Sequence, residues 1–390
     1  MADFHIFAPI PQIRKRTRLA KLSAVLRNAN VSIRYYGWKR EKSETPEVVS
    51  DPGISETTIL NGGGYGGSRV RLYYPLWMIA VFRRALRLPR GSTWYCLGFE
   101  SAFPALLAAK IRKSRVIFDD ADRFSMIVRL PGALNTLVVA AERWTSQQAS
   151  IHIVPGFTRY EWRYPNMKLL RNSPTSRQFE AGRDIARGLD HDRSRQQFTL
   201  YMNGWIGETR GAPVFLALME KLATKCPDVR MLLIGRGDAG AFDRLIRLPN
   251  VDYQTEVPQE EALAYYYASD LVLTYYDPAI AINRHAESNK WGDCVFCDVP
   301  FVVNSEVETA GKFVESGAAF AVEYGDVETL FQLVIRCKDD PAHLERAREA
   351  LRKFRADFPP FDEALSEILS ENLPRSSSDS LALRTPTSQT

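Results

Sequence analysis

The order of apolar patterns along the chain predicts a doubly wound α/β protein in two domains. Length is the first support, because 390 residues suffice for about two full cores. The second is the alternation of strand-length apolar runs with helical stripes, which implies parallel sheets covered by helices on both faces. The third is a single interruption between about 165 and 197. There "NSPTSRQFEAGRDIARGLDHDRSRQQ" holds few large apolar side chains and reads as an interdomain linker. The expected architecture is two Rossmann-like domains facing a cleft, with ligands beyond the carboxyl ends of the strands.

Taken in order, "FHIFAPI" is a buried-type strand, and "RKRTRLAKLSAVLRNA" carries Leu19, Leu22, Val25 and Leu26 as a helical stripe. "VSIRYYGW" returns as strand, and "STWYCLGF", a helix through "ALLAAKI" and "RVIFDD" repeat the unit. The second series starts at "FTLYMNGW". It continues through a helix at 215–225, the strands "VRMLLIG" and "VDYQTEV", the helix "PQEEALAYYYASD", and the strands "LVLTYY" and "PFVVNS". Pro258 followed by acids suits a helix N-terminus. The resulting division is a first domain at 1–165, the linker at 166–197 and a second domain at 198–355. A helix at 356–372 is expected to pack back toward the first domain, and the Ser/Thr-rich tail at 373–390 to be disordered.

Composition is that of a globular protein, 45% hydrophobic and 25% charged. Five scattered cysteines argue against a disulfide framework and for a reducing compartment. No apolar run reaches the roughly 18 residues of a spanning helix, and no charged segment precedes "HIFAPI" as in a leader, so a cytoplasmic location is expected. The net charge of +5 is unevenly spread. Arg14–Lys21 holds five basic residues, and Thr57–Phe99 holds six Arg (69, 71, 83, 84, 87, 90), neither stretch with an acid. A domain basic on its surface would meet phosphate-rich partners, either nucleic acid or anionic lipid.

The segment "ESNKWGDCVFCDVP" (287–300) contains a C-x-x-C. Zinc would want four ligands, and a redox pair would want neighbours that lower a thiol pKa, whereas Asp293 and Asp298 flank these two. Cys294 and Cys297 read as packed core residues of a helix. Ser288 and Asn289 are favoured caps for that helix. Its free N–H groups, with Lys290 beside them, make a site for a diphosphate, and Asp293, one turn on, suits hydrogen bonds from sugar hydroxyls. A plainly capped surface helix accounts for the same residues. "YPLWMIAVFRRALRLPR" (74–90) sets Trp77, Met78, Val81 and Phe82 near a row of Arg. It reads either as an interfacial amphipathic helix or as a core helix with solvated Arg. "NGGGYGG" (61–67) lacks the phosphate-loop pattern and reads as a flexible loop that orders over an acceptor.

The second half resembles the C-terminal domain of a GT-B glycosyltransferase of the family-4 type. "YMNGWIGETRGAPVFLALMEKL" is similar to its G-x-x-x-x-x-[KR]-G opening, "VRMLLIGRGD" to its strand-then-Gly element, and "HAESNKWGDCVFCDVPFVV" to its P-N-K-x-x-E helix. The order of elements agrees from about residue 3 to 355. Within that fold the chain resembles the bacterial exopolysaccharide β-glucuronosyltransferases of xanthan assembly, through "FES" (99–101), "VIFDDADRF" (116–124), the Glu of "NVDYQTEV" and the Ser-x-Lys of "AESNK". The resemblance implies Asp122 as the catalytic base, with Glu256, Tyr276, Ser288 and Lys290 around a nucleotide-sugar. Trp205 stands where family 4 has Arg, Arg210 where it has Lys, Asp293 where it has Glu, and Asp298 where it has Gly.

Such a transfer needs the charge of a leaving nucleoside diphosphate stabilised. Arg210, able to hold a diphosphate in bidentate fashion, Lys290 and helix-terminal N–H groups would do it without a metal. Asp120 and Asp122 form a literal D-x-D, but in the other domain, so no metal or other cofactor is expected. An inverting reaction also needs a base. Asp119, Asp120 and Asp122 follow the strand "VIF" at its carboxyl end, and any could serve; the plain alternative is a turn Asp capping the next helix. Gly204, by its place in the glycine-rich opening, belongs to the donor set, as does Gly235, which would let backbone approach the nucleotide, although tight-turn packing explains Gly235 equally well. The expected partners are a UDP-sugar, a lipid-diphosphate-linked oligosaccharide and the inner membrane surface, with peripheral attachment there and no nucleic acid. A retaining family-4 type transferase, a nucleotide-sugar epimerase and a non-enzymatic nucleic-acid binder are the rival readings.

Overall fold

The computed structural model describes residues 3–44, 53–65, 67–128, 130–189 and 197–370. The predicted tail at 373–390 and parts of the linker lie outside them. The described residues form two compact units. One runs to Ile153 and adds Tyr164–Lys168 and the chain from Ala364; the other is Val154–Arg163 with Leu169–Glu363.

In the first unit, seven strands form one sheet in the order β3-β2-β1-β4-β5-β6-β7. They are β1 (Asp3–Ala8), β2 (Ser32–Lys39), β3 (Ile54–Asn61), β4 (Thr93–Leu97), β5 (Arg115–Asp119), β6 (Ile151–Val154) and β7 (Met167–Leu169). The pairings from β3 through to β6 are parallel, and β1 meets β4 with Ile6 opposite Tyr95. Because helices cover both faces, the central strands are apolar without alternation: Phe4, Ile6, Phe7, Trp94, Tyr95, Val116 and Ile117 are all buried. The helix Thr17–Asn28 turns Leu19, Leu22, Val25 and Leu26 inward, as its stripe predicts.

The second unit repeats the design with six strands in the order β10-β9-β8-β11-β12-β13. These are β8 (Phe198–Trp205), β9 (Val229–Arg236), β10 (Val251–Gln254), β11 (Leu271–Thr274), β12 (Phe301–Asn304) and β13 (Ala319–Val322), all paired in parallel. Each unit thus carries the strand order 3-2-1-4-5-6 of a dinucleotide-binding fold. Its crevice opens where the order reverses, beyond the carboxyl ends of the two central strands. That point lies between β1 and β4 in one unit and between β8 and β11 in the other.

Two stretches differ from expectation, and a third decides between two readings. The polar segment read as a linker contains a helix, Ser176–Leu189. Thr175 and Gln178 cap it reciprocally, each backbone N–H donating to the other's side chain (3.1 and 3.2 Å), and Phe179 packs edge-on against Phe296. The last described helix is Phe361–Leu369, which starts later than the predicted 356; positions 371 and 372 of that prediction lie outside the described residues. In the helix Gly67–Ala85, Trp77 and Val81 are fully buried, so that face belongs to the core, while Leu72, Leu76 and Ile79 on another face are exposed. Among the described residues no helix is long and apolar enough to cross a membrane.

Candidate active site

In the second unit, the chain leaves β8 through Asn203, Gly204 and Trp205. Gly204 and Gly235 take left-handed φ values of 88° and 142°. A β-carbon on Gly235 would stand 2.0 Å from the carbonyl oxygen of Gly204, so the ends of β8 and β9 touch backbone to backbone. Above Gly204 the nearest atom to a would-be β-carbon is Lys290 Nζ, at 3.9 Å. The absent side chain leaves an ammonium facing open backbone at the switch point.

Lys290 is placed by its helix, Asn289–Cys297. Ser288 is the N-cap, its Oγ accepting from Lys290 N at 3.2 Å. Asn289 is exposed. Trp291 fixes the helix to β11 by donating from Nε1 to Thr274 Oγ1 (3.2 Å). Cys294 and Cys297 lie in the core with their thiols pushed well up by burial, as packed residues should be. Asp293 is buried one turn in and accepts from Tyr266 Oη at 3.4 Å; the same hydroxyl lies 3.2 Å from Asn203 Oδ1. Asp298 closes the helix at a left-handed φ of 55°, the conformation a glycine would adopt freely.

Arg210 sits in the turn after β8. Its guanidinium donates to Asn283 Oδ1 (2.8 Å) and lies 4.8 Å from the ring centre of Tyr276. Tyr276, just past β11, is held by its own N–H donating to Asn304 Oδ1 at 2.8 Å. Arg210 and Tyr276 therefore flank the switch point together with Gly204 and Lys290. Glu256 lies further along the edge, paired with Arg236 at 2.7 Å, and Arg236 is the partner in register of Trp205. Asn283 and Asn304, both buried, went unnoticed from sequence, although an Asn ending an apolar strand ("FVVN") is a visible signal. Glu287, ahead of the cap, is pushed up to about 7 by burial.

The carboxyl edge of the first sheet is acidic. Asp119 is fully buried and accepts twice from Arg18 Nε, at 2.9 and 2.7 Å, and from Tyr95. Arg18 is thus structural rather than part of a basic surface. Asp120 is buried with His152 Nε2 at 3.9 Å. Burial pulls that imidazole down to about 3 and keeps it neutral. Asp122 is the accessible member, with a side chain 41% exposed and paired to Arg16 at 2.8 Å. Among the described residues no group of three His, Cys, Asp or Glu could hold a metal ion. The glycines 62–64 form a turn tied to β2, with Gly62 O accepting from Trp38 Nε1 at 2.8 Å.

No family model matches the chain, and no curated protein matches it either. Solved structures do. HepE of Anabaena, in complex with UDP and glucose, aligns with a TM-score of 0.65 over 95% of this chain and 99% of its own, at 15% identity. Sucrose-phosphate synthase of Thermosynechococcus elongatus aligns at 0.64, with 12% identity over 95% and 99%. The UDP-forming α,α-trehalose-phosphate synthase of Burkholderia vietnamiensis aligns at 0.62, with 11% identity over 95% and 100%. The chain has the GT-B fold.

Proposed function

We propose that the chain is a glycosyltransferase that takes its sugar from a UDP-sugar held at the carboxyl edge of the second sheet. The observation that carries this reading is the ammonium of Lys290 poised 3.9 Å from a would-be Gly204 β-carbon at the switch point, where α/β folds receive phosphates. Arg210, stacked beside Tyr276, adds a second cation, and the N-terminus of Asn289–Cys297 adds oriented amides. Together they would carry the charge of a departing diphosphate. Solved relatives of this fold hold UDP and UDP-glucose, which supports a uridine donor. Glu256 and Asp293 complete the proposed donor set, Asp293 toward the sugar.

The finer reading is inverting transfer, of glucuronic acid by the resemblance stated above, to a lipid-diphosphate-linked oligosaccharide of exopolysaccharide or capsule synthesis. The proton of the acceptor would pass to the acidic edge of the first sheet, with Asp122 in the reacting set. Peripheral attachment to an anionic bilayer would use the face of the helix Gly67–Ala85 opposite to Trp77 and Val81. Leu72, Leu76 and Ile79 are spaced i, i+4, i+7 and are 72%, 47% and 53% exposed, on a helix whose last turn carries Arg83 and Arg84. Apolar insertion and Arg attraction to anionic headgroups would act together.

A nucleotide-sugar panel with a membrane extract as acceptor, read by mass spectrometry, tests the activity. UDP should raise the melting temperature, by an amount equivalent to about 2.7 kcal/mol at a hundredfold excess over Kd, and oligonucleotides should not. Stabilisation by oligonucleotides and not by UDP would sink the proposal.

A further inference from the structure

Glu100 follows β4, the strand at the switch point of the first sheet, and occupies the first turn of the helix Phe99–Arg112. Gly98 before it has a φ of 79°, and a β-carbon there would meet the Glu100 carboxyl at 2.7–3.0 Å. The carboxyl is therefore folded back over the strand end, in the space glycine leaves. Gly98 N donates to Asp119 O at 2.9 Å, which sets this turn beside the one that bears Asp122.

Three other carboxylates near this edge are committed. Asp119 holds Arg18 and Tyr95. Glu142 accepts from Arg123 Nε, from Ser125 N and from Ser125 Oγ (3.2, 2.8 and 2.6 Å). Asp122 is paired with Arg16. Glu100 makes no ion pair with any described residue. The charged and titratable groups facing it are Arg40 beyond β2, Asp122 beyond β5, Glu142 across the sheet edge and Tyr74. Arg40 is itself stacked on Trp38 at 4.2 Å.

Resting on the glycosyltransferase reading, we propose that Glu100 is the group that receives the acceptor's proton, with Asp122 as the positioning charge beside it. The acceptor O–H bond breaks toward a Glu100 oxygen, the acceptor oxygen bonds to C1 of the sugar, and the C1–O bond to the diphosphate breaks with its electron pair leaving on UDP. Burial first, then Asp122 and Glu142, push the carboxyl up to about 7 against the pull of Arg40 and the helix amide. A base is most effective when its pKa lies near the working pH. Asp122 is already engaged by Arg16 at 2.8 Å.

The test compares wild type, E100Q and D122N by transfer from about pH 5 to about pH 9, by UDP-induced melting shift, and by carbon-13 titration of the Glu carboxyls. E100Q should lower kcat by about 100- to 1000-fold, leave the donor KM and UDP shift intact, and remove both the acid limb of the wild-type profile and a carboxyl signal titrating near 7. D122N should lower kcat much less than E100Q does and move that limb to lower pH. Full transfer by E100Q, or a Glu100 carboxyl titrating in the ordinary range, overturns the assignment even where UDP binds normally. A wild-type chain that neither binds UDP nor transfers any sugar removes the underlying reading as well.

Discussion

The two units share a strand order yet present opposite charges at the same topological point. Where the first sheet reverses, Glu100 and Asp122 gather; where the second reverses, Lys290 and Arg210 do. Among the described residues, the exposed large apolar side chains are just as uneven, all but Ile185 and Trp205 falling in the first unit. A scaffold of this kind sets where chemistry occurs, and the few residues just past the strands set which chemistry. A cationic edge suits a leaving anion, and an acidic edge suits a proton in need of a base.

The sharpest way to break the comparison is at the backbone floor of the cationic edge. Gly235→Ala should cost about 3–5 kcal/mol, since its β-carbon would sit 2.0 Å from a carbonyl oxygen. Chemical denaturation measures this, and a variant as stable as wild type would show that β8 and β9 do not meet as described. Next in size, Lys290→Ala should weaken UDP binding by about 10- to 100-fold, the loss of one charge-assisted contact of about 1.5–3 kcal/mol. Calorimetry reads it, and unchanged affinity would take the cation out of the comparison. Smallest is the asymmetry in apolar surface. Replacing both Leu76 and Ile79 by Glu should reduce co-sedimentation with anionic vesicles several-fold, while UDP binding persists. If wild type ignores vesicles altogether, the exposed stripe has another role.

Much of this was legible in the sequence because periodicity and glycine punctuation report directly on buried strands and the turns after them. The strands containing "YMNGW" and "VRMLLIG" announce both their core and their ends, and "SNK" announces a cap with a cation beside it. The helix Ser176–Leu189 was not legible from apolar content, since it docks through Phe179 and through Gly182, which lies directly against Leu263. Its signal was the Thr-x-x-Gln box at 175–178, a local hydrogen-bond pattern rather than a hydrophobic one. Glu100 was hidden for a related reason. Its basicity depends on burial and on Asp122 and Glu142, which are remote in sequence, so the triplet "FES" marks the place without disclosing the proton affinity. The inward face of 67–85 is one of two readings the sequence leaves open, because Trp and Val announce apolarity equally whether they face inward or outward.

The contact between Gly204 and Gly235 constrains how this protein can diverge. With main chain against main chain, Gly235 has no room for a β-carbon, and Gly204, at a φ of 88°, carries one only under backbone strain. Variation at this strand edge is therefore confined to the rim, in residues such as Trp205, whose exposed indole can change size and polarity without disturbing the strands beneath it.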